Sequence, residues 1–285
     1  MDRYAVTTVN YMAAVAVSLV VIVLEGLPAR VGLSSLAALT TEFGEVMAGG
    51  RFSPAGSAGW ALMSGLPAGV FYYLGFIYLQ RSIRECGVSL SGSFSKMGIL
   101  VPMTLSLVIW QEVPAPVQWV GILLALAAIL ASSVRFRSAE SEGSGFRPVL
   151  LLLFLTVGMA EFSNKVYQNY GVNGMKNLFL LAVFVMALSL SGFRTLRRRT
   201  RISRVHVVTG LAVGIPNYFA SFFLIAALSR MSAVVVFPVY SALTICLISI
   251  LGRVIFGERL RLRERVAVAL AALSMVLVNM NGSAA

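Results

Sequence analysis

Charged residues are scarce in this chain of 285 residues, at 12% of the total. Soluble domains have about 25% charged and about 45–50% apolar residues, whereas 58% of this chain is hydrophobic. The hydrophobic residues form continuous runs of roughly 18 to 23, the length that crosses a bilayer as a helix. Because the runs do not alternate with polar residues, a membrane β-barrel is disfavoured. We therefore expect an all-α integral membrane protein, a polytopic helical bundle.

Histidine and cysteine are also nearly lacking. The sequence has one histidine, His206, and two cysteines, Cys86 and Cys246, without the spacing of a metal site. It has no Gly-rich phosphate loop, H-E-x-x-H or G-x-S-x-G motif. We therefore expect no catalytic residue, no metal and no cofactor, and we do not expect an enzyme. Without an ATP-binding signature, energy for transport would come from gradients or a partner.

Nine hydrophobic runs predict nine membrane-spanning helices. Residues 31–48 are a weaker tenth candidate, which we interpret as a loop with an amphipathic piece because it contains Glu42 and Glu45. The first run is too long for an ordinary signal-peptide core, so we interpret it as a retained helix. The runs cover residues 5–24, 57–79, 90–110, 115–134, 148–166, 176–194, 206–228, 232–254 and 264–281.

The two halves of the chain repeat one pattern. Residues 65–67 (GLP) recur 149 positions later as 214–216 (GIP), and Glu112 recurs 146 positions later as Glu258. Each of these glutamates ends a span and could act as a gate, but we favour a role in capping the helix that follows it. The second, third and fourth runs match the seventh, eighth and ninth, and the first matches the sixth, while the fifth has no partner. The expected organisation is a first repeat of four spans at 1–138, a linker at 139–146 and a second repeat of five spans at 147–285.

Basic residues are distributed unevenly between the loops. The loops 80–89, 135–147, 194–205 and 253–265 hold two, three, six and five of the 23 Lys and Arg residues, and Arg3 brings that side to 17. The other side has five, and one lysine lies within a span. The positive-inside rule places the basic side and the N-terminus in the cytoplasm and the C-terminus outside. Matched spans then run in opposite directions, an inverted repeat typical of secondary transporters.

Four short segments share the motifs of a known family. Residues 9–14 are VNYMAA, 87–102 are GVSLSGSFSKMGILVP, 110–121 contain W-x-E and Q-W-x-G, and 256–260 are FGERL. Together they resemble the drug/metabolite transporter superfamily, of the EamA permease type. The resemblance implies ten helices in two inverted units of five. Its motifs are diagnostic of the fold but say little about the substrate.

The chain departs from that family in one way. The VNYMAA segment resembles the start of the second helix, so the resemblance implies a ten-helix arrangement that lacks its first helix. The fifth run without a partner indicates the same gap. Either the start lies upstream of Met1, or the protein works with nine helices.

Two charged residues within the spans are the leading candidates for a transport site. A lysine such as Lys96 costs about 2.5–3.5 kcal/mol in the middle of a span on insertion scales. It would face a wet cavity and bind an anionic group, or it would snorkel to the interface. Glu161 is the carboxylate of the fifth run and shares a helix face with Lys165. It would be a proton or substrate site, or half of an ion pair at a helix end.

Prolines and nearby polar residues complete the candidate site. Prolines within spans remove a hydrogen bond and provide bending points, or they are ordinary span prolines. Neighbouring polar groups suit an apolar pocket, although tyrosines also lie at membrane interfaces. The candidate hinges are Pro67, Pro102, Pro216 and Pro238. The candidate binding residues are Lys96, Glu161, Asn164, Lys165, Tyr73, Asn217, Tyr218, Tyr240 and Ser241.

These features predict a secondary active transporter of the inner (plasma) membrane. It would export a small metabolite or drug-like compound by alternating access, with protons as the candidate coupling ion. The alternatives left open are a lipid flippase or a non-transporting membrane subunit, with a membrane-embedded enzyme less favoured. The expected partners are the lipid bilayer and a small-molecule substrate, a homodimer is left open, and nucleic acid is not expected despite the net charge of +12.

Overall fold

The computed structural model describes residues 2–26, 34–133, 148–200, 202–256 and 262–279. All regular structure within these ranges is helical, as the composition predicts. The predicted linker at 139–146 and Glu258 lie outside the described residues. The helices are α1 (Arg3–Leu24), α2 (Ser34–Met47), α3 (Pro54–Cys86), α4 (Val88–Met97), α5 (Leu100–Ile109), α6 (Pro116–Ser133), α7 (Pro148–Tyr170), a 3-10 turn (Asn173–Met175), α8 (Lys176–Arg197), α9 (Arg204–Leu228), α10 (Ala233–Phe256) and α11 (Leu262–Asn279).

Within the described residues, six helical stretches are long and apolar enough to cross a membrane. They are α1, α3, α4 with α5, α7, α8 with its preceding turn, and α9. These stretches confirm a multi-pass helical membrane protein. Helices α6, α10 and α11 occupy the other three predicted runs, but their described apolar stretches have only 10–17 residues. The count of nine spans and the inverted repeat stay predictions.

Residues 31–48 differ from the expected loop, because most of this segment forms α2. Ser35, Leu39 and Val46 are buried along one edge of the helix, at helical spacing. The opposite side of α2 is exposed. One buried edge is enough to stabilise a short helix by tertiary packing. The polar residues of this segment do not show that such packing occurs.

One of the acidic residues that suggested a loop stabilises the start of α3 instead. The Glu42 carboxylate accepts hydrogen bonds from the Ser53 backbone N–H at 2.8 Å and from the Ser53 hydroxyl at 2.6 Å. The Ser53 oxygen in turn accepts from the Gly56 N–H at 3.1 Å, as an N-cap side chain does. Pro54 occupies the first helical position, where the missing N–H costs nothing.

The third predicted run is interrupted, and Pro102 explains where. Helices α4 and α5 are separated by Gly98 and Ile99, which keep right-handed helical dihedral angles. Because Pro102 has no N–H, the Gly98 carbonyl lacks its usual donor four residues ahead and accepts from the Val101 N–H at 3.0 Å. The other candidate hinges, Pro67, Pro216 and Pro238, lie within the continuous helices α3, α9 and α10.

The chain divides into two compact units. Unit 1 comprises Met1–Ile77 and Met159–Arg230, and unit 2 comprises Tyr78–Gly158 and Met231–Ala285. Each unit draws on residues from both predicted repeats, and helices α3 and α7 contribute to both units. These compact units are not the two sequence repeats, and the division of the chain into repeats at 139–146 stays a prediction.

Helices in unit 1 meet through pairs of glycines spaced four apart. A Cβ added to Gly65 or Gly69 of α3 would collide with the backbone of α8. A Cβ added to Gly214 of α9 would collide with the backbone of α1, and one at Gly210 would collide with a valine side chain there. Small residues let membrane helices approach closely, which is what stabilises them where no hydrophobic driving force exists.

In unit 2, α6 packs against both α10 and α11, and α10 also contacts α5 and α11. The alanines at this junction are fully buried, so the helices approach closely. Met103 of α5, Ile122 of α6 and Val234 of α10 form a second apolar cluster.

The capping role expected for Glu112 is found at a different helix. Its carboxylate accepts the backbone N–H of Ala233, the first residue of α10, at 2.7 Å. At the start of α6, the helix that follows Glu112 in sequence, the Gln118 side chain accepts the Ala115 N–H at 3.0 Å. A carboxylate suits either helix N-terminus, so only the tertiary structure decides which one it caps.

Candidate functional site

The polar segment of α7 supplies a group of deeply buried hydrophilic side chains in unit 1. Asn164, Lys165 and Gln168 are each at least 96% buried, and Glu161 is half-buried. Burying polar groups without partners is costly, so they are expected to form hydrogen bonds. The Lys165 ammonium lies 3.4 Å from the Gln168 Oε1.

A hydrogen-bonded network links α7 to α3 and α9. The Asn164 Nδ2 donates to the Glu161 Oε2 at 3.2 Å. The Tyr72 hydroxyl lies 2.9 Å from the Asn164 Nδ2 and 3.1 Å from its Oδ1. That hydroxyl also lies 3.1 Å from the Ser221 Oγ. The structure therefore joins two candidate site residues, Glu161 and Asn164, to Tyr72, whose neighbour Tyr73 was the predicted one, and to Ser221, which was not predicted.

Tyr72, the central residue of this network, is held in place by contacts with α1 and α8. The Tyr11 hydroxyl donates to the Tyr72 backbone carbonyl at 2.8 Å. The Phe184 ring of α8 meets the Tyr72 ring edge-on, with their centroids 5.9 Å apart. Tyr72 thus has a fixed position although its hydroxyl has several neighbours.

A cavity of about 240 Å³ lies between α3 and α7 in unit 1. Its wall is apolar and aromatic, with two hydroxyl groups. Pro67, a candidate hinge, lines it, and Glu161 lies within the α7 segment that forms one wall. The lining residues are Trp60, Met63, Ser64, Pro67 and Ala68 of α3, and Met159, Phe162, Ser163 and Val166 of α7.

Trp60, which lines this cavity, carries a buried N–H donor without a hydrogen-bond partner in the described structure. Its side chain is 92% buried, yet its indole N–H has no hydrogen-bond partner within the described residues. Phe52 and Tyr170 hold the ring, with centroids 5.4 and 5.7 Å away. Buried indole N–H groups usually find a partner. Trp60 lies seven residues before Pro67, two helical turns, which is the signal that could have identified it.

Three other predicted residues of unit 1 lie away from the network. Asn217 contacts the Asn10 Oδ1 at 3.5 Å, and the Asn10 amide nitrogen is buried without a partner in the described structure. The Tyr218 hydroxyl donates to the Asn177 Oδ1 at 2.9 Å, and the Asn177 amide donates to Glu25 at 2.6 Å. Tyr73 lines a second, arginine-rich cavity instead.

The remaining predicted site residues belong to unit 2. Lys96 is half-buried on α4, two residues before the turn at Gly98. Gly98 lies against Gly158 and Phe154 of α7, where a Cβ on Gly158 would collide with the Gly98 carbonyl. On α10, Ser241 is buried and Tyr240 is half-buried. The break beside Lys96 is thus held by close helix contact.

Comparison with known proteins identifies the fold and not the activity. No family model and no curated protein matches the chain. Among 13 matching chains of solved structures, one described only as a crystal structure of a protein aligns with 100% of this chain and 90% of its own length. Its TM-score is 0.66 at 15% identity. The likeness shows a shared fold.

Proposed function

We propose that this protein is a secondary active transporter of the inner membrane that exports a small metabolite or drug-like compound. The observation that carries the proposal is the polar network at Glu161, Asn164 and Tyr72, buried within apolar spans beside a cavity. Ionisable and polar groups within membrane helices usually mark substrate or ion pathways. The resemblance to the drug/metabolite transporter superfamily points to the same class.

The internal repeat supports alternating access. Gly65 of α3 packs on α8, and its counterpart 149 positions later, Gly214 of α9, packs on α1. In the predicted repeat, α3 matches α9 and α8 matches α1. The contact of α3 with α8 is therefore the counterpart of the contact of α9 with α1. An inverted repeat would let the two halves exchange conformations around one site.

The cavity indicates the kind of substrate. At about 240 Å³, it is smaller than the roughly 300–1,000 Å³ of most ligand pockets. Its lining is mainly apolar, and the Trp60 indole N–H is a buried donor without a partner in the described structure. The proposed substrate is therefore a small, largely apolar compound with a hydrogen-bond acceptor.

Glu161 is the proposed proton site. As a carboxylate it accepts from the Asn164 Nδ2. Protonation would turn one acceptor oxygen into a donor and weaken that bond, which would release Asn164 to rearrange with Tyr72. Proton binding would thereby change the contacts of three helices.

Transport by cells and by purified protein in liposomes tests the proposal. A compound should accumulate outside cells that overproduce the protein and inside cells that lack it. Glu161→Gln should abolish the dependence of transport on a pH gradient in liposomes, and Trp60→Phe should raise KM. Glu45→Gln, which alters an exposed carboxylate of α2, is the matched control. If no soluble compound moves, or if Glu161→Gln behaves as wild type, the proposal is wrong.

A further inference from the structure

The second cavity of unit 1, which we name the arginine cavity, shares no lining residue with the cavity of the proposed transport site. It has a volume of about 540 Å³ and lies between α3 and the last turns of α8. It is lined by Tyr73, Leu190, Phe193, Arg194, Arg197 and Arg198. Three guanidinium groups thus share one cavity with three apolar or aromatic side chains.

Two of the arginines are held in place by a tyrosine from α1. The guanidinium carbons of Arg194 and Arg198 lie 4.9 and 4.3 Å from the centroid of the Tyr4 ring. This cation–π geometry fixes the guanidinium groups, and Arg194 also forms hydrogen bonds with the Tyr73 and Tyr4 side chains. A guanidinium has five N–H donors, more than these contacts use. Stacked guanidinium groups are well suited to bidentate binding of phosphate.

The positive charge of the cavity is offset only in part, by Asp2, which interacts electrostatically with Arg198. Among the described residues, Arg194, Arg197 and Arg198 form no ion pair with a carboxylate. Asp2 is the acidic group closest in the network, and its two oxygens accept from the Tyr4 N–H at 2.8 Å and from the Thr200 hydroxyl at 3.2 Å. An anionic ligand would therefore meet a net positive site.

The cavity also borders an apolar surface at the end of a membrane span. Phe193 is 67% exposed, and the neighbouring Leu196 is 78% exposed. Large apolar side chains so exposed at the end of a spanning helix would lie in hydrocarbon at the membrane interface. A soluble anion would use the arginines but leave this surface unused.

We infer that the arginine cavity binds the phosphate of an anionic phospholipid, with the acyl chains against Phe193 and Leu196. The mixture of guanidinium groups with exposed apolar side chains is the chemistry that distinguishes a lipid from a free phosphate. Basic pockets between membrane helices bind anionic headgroups in this way. The lipid would fasten the ends of α8 and α1 together, because Tyr4 holds the same arginines.

Lipid titration of the full-length protein in detergent tests this inference. We expect phosphatidylglycerol, but not phosphatidylcholine, to raise the thermal unfolding midpoint. Arg197→Gln should weaken phosphatidylglycerol binding about 5-fold, since one basic residue near an anionic lipid contributes about that factor. Arg204→Gln, an exposed arginine of α9 outside the cavity, is the matched control. Arg197→Lys keeps the charge but loses the bidentate geometry, so it should retain part of the binding.

Four results would each overturn the inference. Equal binding of both lipids would remove the headgroup preference. If Arg197→Gln binds phosphatidylglycerol as the wild type does, the cavity is not the lipid site. If Arg204→Gln loses as much binding as Arg197→Gln, the lipid is attracted by the overall surface charge and not by the cavity. Displacement of the lipid by millimolar inorganic phosphate would assign the site to a soluble anion. Unchanged midpoints of both variants without lipid show that they fold.

Discussion

The hydroxyl groups of Tyr72 and Ser221 lie 3.1 Å apart, although the residues are 149 positions apart in sequence. The same interval separates Pro67 from Pro216, which are matched positions of the predicted repeat. Matched positions of a repeat can touch only close to the axis that relates the two copies. If the proposed repeat holds, this contact would put its axis at the polar network, and inverted-repeat transporters bind their substrates at such an axis.

Removing one hydroxyl should impair transport more than folding. Tyr72→Phe keeps the ring packing but leaves the buried Asn164 amide with fewer partners, at a cost of about 1–3 kcal/mol. We expect a loss of transport rate by about an order of magnitude, and a smaller loss in Ser221→Ala. A double-mutant cycle in liposomes should show that the two effects are not additive. Fully additive effects would show that the two hydroxyls do not act together.

Substitution of Lys96 should separate a binding role from a structural one. If the ammonium binds an anionic group of the substrate, Lys96→Ala should lose most transport while its level in the membrane stays normal. Lys96→Arg keeps the charge and should retain part of the activity. Export assays and quantified membrane fractions provide the two readouts. Undiminished transport in Lys96→Ala would remove Lys96 from the site.

The glycine contacts predict a large difference between two similar substitutions. A Cβ on Gly69 would collide with the Val183 carbonyl, whereas a Cβ on Gly192 meets no atom within 4 Å. Gly69→Ala should therefore destabilise the protein by about 1–3 kcal/mol, as overpacking does. Gly192→Ala should be neutral or stabilising, because alanine favours helices by about 0.5–1 kcal/mol. Thermal unfolding in detergent measures both, and equal effects would contradict the close approach of α3 to α8.

Asp2 predicts an acid-dependent change in stability. Burial acts to raise the pKa of its carboxyl, but the Tyr4 N–H, the Thr200 hydroxyl, the Ala5 N–H and Arg198 outweigh it, so the pKa lies below the ordinary 3.8. A lowered folded-state pKa means that the stabilisation is complete above the unfolded-state value and is lost as the pH falls through the folded-state value.

Two substitutions at Asp2 separate its charge from its capping role. Asp2→Asn keeps an N-cap side chain for α1 and should lose less than about 1 kcal/mol at neutral pH. Asp2→Ala loses the cap as well and should cost about 1 kcal/mol. The difference between wild type and Asp2→Asn should disappear in thermal unfolding once the pH is below the lowered folded-state pKa of Asp2. A difference that persists there would show that the charge is not its cause.

Part of the candidate site could be predicted from the sequence. Glu161 and Asn164 could be identified because a charged or amide group within an apolar run is costly to bury and therefore usually has a functional role. Tyr73 was chosen over Tyr72 because the two are adjacent in an aromatic stretch, and sequence alone does not show which of them faces α7. Trp60 was missed because an aromatic residue in a span is ordinary unless its N–H is known to lack a partner.

The sequence by itself determined that this protein is a multi-pass helical membrane protein, because runs of apolar residues of this length can satisfy their backbone in lipid only as helices. It also determined where α4 and α5 separate to within one turn, since a proline cannot donate to the helix ladder. Only the tertiary structure decided that Glu112 caps α10, that α2 is a helix, and that Tyr72 meets Ser221. These depend on which distant segments come together, and that is set by the packing of side chains such as Gly69 and Gly214 against neighbouring backbones.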